Sequence, residues 1–310
     1  MVWYIVGRFL QAVFNLLFIA SLVFWLVRLI GDPTTLLLPE YASAATIAQV
    51  KANLGLNHPL IIQYFYYLRN LLHFNLGVSF ATGQPITNLL FTSFVATLDL
   101  SLVALVIAVV IGLPLGVLSA VYRGSVIDSF ARTFALLGQS TPTFYMSIIL
   151  VLVFGVNLRW LPVAGRGGPA TYVLPGIALG WAAMAGIIRL TRSSMLDTLD
   201  ADYITMARAK GLPNYVIATK QAMRNALIPV ATFTGLVLAG FLGGAVVIES
   251  IFNWQGIGQT TLTAVQDRDY PLIQGAVIVV AACFIAVNFI VDLLYLVIDP
   301  RIRYQGRAAS

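Results

Sequence analysis

Six continuous apolar stretches, each long enough to cross a bilayer as a helix, leave this chain few folds to choose from. They cover residues 9–30, 98–121, 136–156, 172–190, 226–248 and 275–298. About 20 helical residues span the ~30 Å of hydrocarbon in a bilayer. A β-barrel strand would instead alternate apolar and polar over about ten residues, and these runs do not alternate. The composition agrees, with 59% hydrophobic and 10% charged residues, where a soluble domain carries about a quarter charged. The expected fold is therefore all-α, a polytopic bundle of six transmembrane helices forming one domain over residues 1–310.

The first stretch follows a short segment ending at Arg8. Its apolar run is too long for a signal peptide and no small-residue cleavage site closes it, so a retained anchor is expected. With the N-terminus inside, twelve of the 18 basic residues fall on the inner side and six on the outer. Basic residues in short loops mark the cytoplasmic face, which places both termini and the polar segment after Leu190 in the cytoplasm. The net charge of +6 is then membrane asymmetry and gives no argument for nucleic acid.

Several chemistries are excluded or weak. None of Lys51, Lys210 and Lys220 follows a glycine, so the chain holds no phosphate-binding loop of the GxxxxGK[ST] type and cannot be its own ATPase of that class. No GxSxG, HExxH or CxxC occurs. The lone Cys283 has no disulfide partner. His58 and His73 lie in the first outer segment with no second ligand at metal spacing, and solvated loop histidines are expected. That outer segment, 31–97, contains a helical stretch at 59–75 rich in tyrosine. Its amphipathic rings suit the headgroup layer, while a helix packed on the tops of the spans explains the pattern equally.

Ionisable residues inside spans often mark ion or substrate paths. Asp99 and Glu249 fall near the outer ends of the second and fifth stretches, and Asp292 in the inner half of the sixth. Glu249 is read either as a pathway group or as a structural hydrogen-bonding residue facing a neighbouring loop. Gly235, Ala239, Gly240, Gly243 and Gly244 allow close helix approach in the fifth stretch, and Pro142 predicts a kink in the third. Pro142, Gly240, Gly243 and Glu249 are the candidate gate or pathway residues.

The polar segment 191–228 carries helix signals. Asp200 is a plausible N-cap, Asp202 sits in the first turn, Arg208 and Lys210 in the last, and Gly211 and Pro213 follow. The spacing predicts a short helix over 201–210, about 15 Å long, and a second over 214–225. Tyr203, Met206, Ala207 and Lys210 recur at helical spacing and form a stripe suited to a groove. A connector lying on the membrane surface would show the same pattern.

The run DADYITMARAKGLPNYVIATKQAMRNALIPV, beginning at Asp200, resembles the cytoplasmic coupling loop of ABC transporter permeases of the dipeptide, oligopeptide, nickel and glutathione import branch. Further matches lie at GDP (31–33), LGLNHPL (54–60), NLGVSF (75–80), TRSSMLD (191–197), FNWQGIG (252–258), RDYPLIQG (268–275) and DLLYLVIDPRIRY (292–304). Ala207 and Gly211 occupy the family's Ala and Gly positions, whereas Thr205 and Met206 stand where other branches commonly have Glu and Ala. The resemblance implies a type I importer permease of a bacterial or archaeal cytoplasmic membrane. It also implies a second homologous permease, two nucleotide-binding ATPase subunits that hold ATP and Mg, and an extracytoplasmic substrate-binding protein. This chain itself would bind no cofactor and catalyse no reaction. Asp202, Tyr203, Met206, Ala207, Arg208, Lys210 and Gly211 would couple it to the ATPase, with Ala207 small so that the helix seats deeply. The expected mechanism is alternating access. Peptides are the expected cargo, with glutathione or nickel chelates as alternatives, the short connection 157–171 leaning toward the glutathione-like or general peptide group. A stand-alone secondary transporter or channel is the competing class, but neither inverted repeats nor a convincing ion site is visible.

Overall fold

A computed structural model describes residues 2–30, 57–243 and 245–298, together with Ser43 and Gln49. The GDP triplet, the first three residues of the LGLNHPL run, Gly244 and the basic tail after Ile298 lie outside the described residues, as does the side chain of Asp292. Within the described residues the regular elements are all helices, apart from one isolated bridge between Val78 and Pro85. Five helices are long and apolar enough to cross a membrane, and a bent pair adds a sixth if it is counted as one span.

The first span is α1 (Val2–Ile30). Against it leans α2 (Leu60–Leu72), which buries no residue completely. The hydroxyls of Tyr64 and Ser21 lie 2.6 Å apart, and Tyr67 donates to the Ala20 carbonyl at 3.2 Å. The Tyr64 and Tyr67 rings close around Phe24. The tyrosine cluster that suggested a headgroup helix thus holds α2 to the flank of α1.

At the centre lie α3 (Ile86–Val121) and α6 (Val173–Leu199). The helix α3 starts twelve residues before the apolar run at 98, because Ile86 and Leu90 of its first turns pack on the later residues Ala264, Leu272 and Ala276. Close helix approach occurs here. A Cβ on Gly180 would lie 2.7 Å from the Ala104 carbonyl oxygen, and one on Gly116 would lie 2.6 Å from Thr191 Cβ. Small residues that let backbones meet are the main device of helix association in membranes. Of the small residues expected to pack closely in the fifth span, Ala239 is buried, while Gly240 and Gly243 do not have this role. Gly240 is open, and Gly243 meets only its own helix and the edge of Phe284.

The third span is broken rather than kinked. Helices α4 (Val126–Ser140) and α5 (Thr143–Leu150), the latter continued by a π-helical stretch Val151–Asn157, meet at 107°. Pro142 has no N–H to continue the ladder and forces the preceding Thr141 out of the helical region, to φ −91° and ψ 119°.

After α6 comes α7 (Asp202–Ala209). A short turn Asn214–Val216 and a π-helical stretch Ile217–Ala222 then run directly into α8 (Met223–Leu242). The separate helix expected at 214–225 is therefore the first part of the fifth span. That span stops at Leu242, six residues short of the sequence expectation of 248. Beyond it lie α9 (Val246–Ile251), α10 (Ile257–Gln266) and the last span, α11 (Tyr270–Ile298).

Candidate functional site

The polar segment folds into a knob built on α7. Gly211 takes φ +78°, a left-handed conformation that glycine adopts without steric cost. The Gly211 N–H donates to Arg208 O at 2.9 Å and the Leu212 N–H to Ala207 O at 3.3 Å. These two bonds make a Schellman terminus, which satisfies the last carbonyls and stops the helix sharply. The start of α7 differs from expectation. Asp200 is the C-cap of α6, and Ala201 precedes α7 without any side-chain cap. The reason is geometric, since α6 runs on to Leu199 and leaves Asp200 in its own last turn.

The stripe Tyr203, Met206, Ala207 and Lys210 does not form one outward face. Ala207 and Ile204 are buried against Met195, Ile217, Ala218, Ala222 and Ala226. Ala207 is therefore small because α7 presses on the π-helical stretch of its own chain, which corrects the expectation that its size serves seating in a partner. The outward face holds Met206, 69% exposed, with Tyr203, Leu212 and Tyr215 also exposed. Asp202, Arg208 and Lys210 surround it in solvent. Asn225 Nδ2 donates to the Tyr203 hydroxyl at 2.9 Å and braces α7 against the base of α8. The result is a rigid knob with an apolar crest and a charged rim, suited to fill a cleft on another protein.

One turn away, Arg192 grips Asp128, a residue sequence reasoning passed over. Asp128 also accepts from Ser119 Oγ at 2.7 Å and from the Gly124 N–H at 2.9 Å. This lattice ties α3, α4 and α6 together beneath the bundle. Its only sequence signal was the arginine of the TRSSMLD run.

The candidate gate residues do not line one surface. Pro142 caps the broken helix and is exposed, Gly240 is exposed, Gly243 ends α8, and Glu249 is fully buried. Glu249 accepts from Thr97 Oγ1 at 2.7 Å and from the Gln259 N–H at 2.9 Å, while the Ile257 N–H donates to Thr97 Oγ1. Its carboxylate thus caps α10 from outside, where the first N–H groups of a helix favour negative charge. Burial raises its pKa, offset in part by bonds from Thr97 and from the Gln259 and Gly258 N–H groups. Beside it Trp254 Nε1 donates to Ala96 O at 2.9 Å. The FNWQGIG run is therefore a structural knot that ties α9 and α10 to the second span, α3.

Two more sequence motifs meet where Ser79 reaches Asp269. Ser79 Oγ donates to buried Asp269, which also accepts from the Leu272 N–H and so caps α11. Asp99 pairs with Arg166, whose guanidinium stands over the Trp254 ring. Asp99 is thereby neutralised at the surface. Among the described residues no group of three His, Cys, Asp or Glu side chains gathers as a metal site.

Comparison with known proteins agrees with this geometry. Residues 112–304 match the family described as binding-protein-dependent transport system inner membrane component, and residues 1–101 match its N-terminal companion. The chain is 40% identical to the glutathione transport system permease protein GsiC of Pectobacterium atrosepticum, over 97% of this chain and 99% of that one. It is 38% identical, with the same coverage, to the GsiC protein of Escherichia coli K12. Among solved structures, an inward-facing MetNI methionine ABC transporter aligns with a TM-score of 0.53 and 22% identity, covering 68% of this chain and 96% of that one. The last comparison speaks for the shared fold alone.

Proposed function

Because the chain belongs to the family of binding-protein-dependent transport system inner membrane components, we propose that it is the permease half of an importer for glutathione or similar short peptides. Its relatives along nearly the whole chain are glutathione permeases, and this favours glutathione over longer peptides and nickel chelates. A second permease, two ATPase subunits carrying ATP and Mg, and an extracytoplasmic binding protein complete the assembly. Both termini and α7 face the cytoplasm.

The observation that carries the mechanism is the exposed crest of Met206 and Tyr203 on a helix whose opposite side is locked by Ile204 and Ala207. A knob bound rigidly to α6 and α8 transmits movement of an ATPase subunit to two spans at once. Alternating access then follows as a rocking of α6 and α8 against the partner permease. The test is reconstitution of the complete importer in proteoliposomes, followed by ATP-dependent uptake of labelled glutathione and of a dipeptide. Uptake of neither solute would overturn the cargo, and uptake without ATPase subunits would overturn the mechanism.

A further inference from the structure

Within α6, the most deeply packed of the spans, the only exposed residues are Ala182, Arg189, Ser193 and Asp197. Their spacings of seven, four and four residues place them on one face. A stripe holding Arg and Asp cannot face hydrocarbon without large cost, so it faces water or protein. Arg189 lies ten positions before Leu199, the end of α6, or about 15 Å along the helix.

An arginine near the inner surface ordinarily extends toward the cytoplasm. Arg189 does the opposite. Its Nη1 donates to Gln139 Oε1 at 2.8 Å, and Gln139 follows Gly138, which packs on Ala185 one turn toward the outer end of α6. The guanidinium therefore points up the helix to the edge of the α4–α5 break. No carboxylate lies within ion-pair distance of it among the described residues.

The chemistry of the pair is one-sided. Arginine only donates, so Gln139 must turn its oxygen toward Arg189 and its Nε2 amide outward. What remains is a set of N–H donors with a full positive charge and no acceptor. Such a set selects an anion, and the planar guanidinium fork matches the two oxygens of a carboxylate. Resting on the importer reading above, the geometry points to a carboxylate-binding station, Arg189 with Gln139, on the inner part of the translocation path. It holds a carboxylate of the moving solute, a group that glutathione and every free peptide carries.

The test uses the complete importer in proteoliposomes. Arg189→Gln is expected to lower glutathione uptake about tenfold, the loss of one charged hydrogen-bonding contact, with co-purification of all subunits unchanged. In a Cys283→Ser background, Arg189→Cys is expected to react with methanethiosulfonates. The aminoethyl reagent, which restores a cationic N–H donor, should return uptake toward the parent level, and the anionic sulfonatoethyl reagent should not. The inference is overturned by undiminished uptake in Arg189→Gln, by a cysteine that does not react, or by equal effects of the two reagents. Loss of the second permease on purification would overturn it too, since Arg189 would then pair with that subunit. An unsubstituted importer that moves neither glutathione nor trialanine sinks the cargo reading instead, while cysteine reactivity still decides whether the stripe faces water.

Discussion

Arg192 closes on Asp128 through two parallel hydrogen bonds, Nε to Oδ1 at 2.7 Å and Nη2 to Oδ2 at 3.1 Å. The aspartate side chain is 2% exposed and the arginine 22%, so water screens the pair poorly. It joins α4 to α6.

Removing one partner strands the other in a buried site. Asp128→Ala or Arg192→Ala should destabilise the permease by about 3–5 kcal/mol, read as a lowered unfolding midpoint of the purified complex. The double replacement Asp128→Leu with Arg192→Met should be less damaging than either alanine variant, because no buried charge is left unpaired and Arg132, the other partner of Asp128, is exposed.

The knob separates a folding role from a docking role. Ala207→Leu inserts side-chain atoms against Ile217 and Ala218 and should cost about 1–3 kcal/mol of stability, lowering the yield of folded permease. Met206→Asp changes only the exposed crest. It should leave the unfolding midpoint unchanged and abolish co-purification of the ATPase subunits.

Gly211 fixes where α7 ends. Gly211→Val places a β-branched residue at φ +78°, where a side chain costs about 1–2 kcal/mol, and the Schellman bonds open. Membrane insertion should persist while ATP hydrolysis and uptake become uncoupled, measured side by side in the same vesicles. Normal uptake would remove α7 from the coupling path.

Glu249 carries a pH signature. Burial raises its pKa in the folded chain above the ordinary 4.5, so the native state holds this proton more tightly than the unfolded chain. Its contribution to stability is then greatest in acid and declines as pH rises from about 4.5 through the folded value. The Glu249→Gln variant should lose that part of the pH slope in a thermal unfolding series. Glu249→Ala should instead destabilise at every pH by about 1–3 kcal/mol, since the Gln259 N–H loses its acceptor.

Much of this architecture can be read from residue order alone, for a reason of scale. A bilayer demands long apolar runs whose backbone is satisfied internally, so spans announce themselves within 20 neighbouring residues, and the break at Pro142 and the stop at Gly211 are equally local. The family motifs were visible too, but not their purpose. FNWQGIG turned out to knot α9 and α10 to α3, and RDYPLIQG to cap α11 while gripping Ser79.

What the linear chain could not express are relations between distant residues. Asp128 meets Arg192 across 64 positions and Thr97 meets Glu249 across 152, and no periodicity marks such pairs. The stripe containing Ala207 shows the same limit. Helical spacing puts Tyr203, Met206, Ala207 and Lys210 near one another, but only the packing of α7 on Ile217–Ala222 settles which of them turns inward, because burial depends on what the helix is laid against.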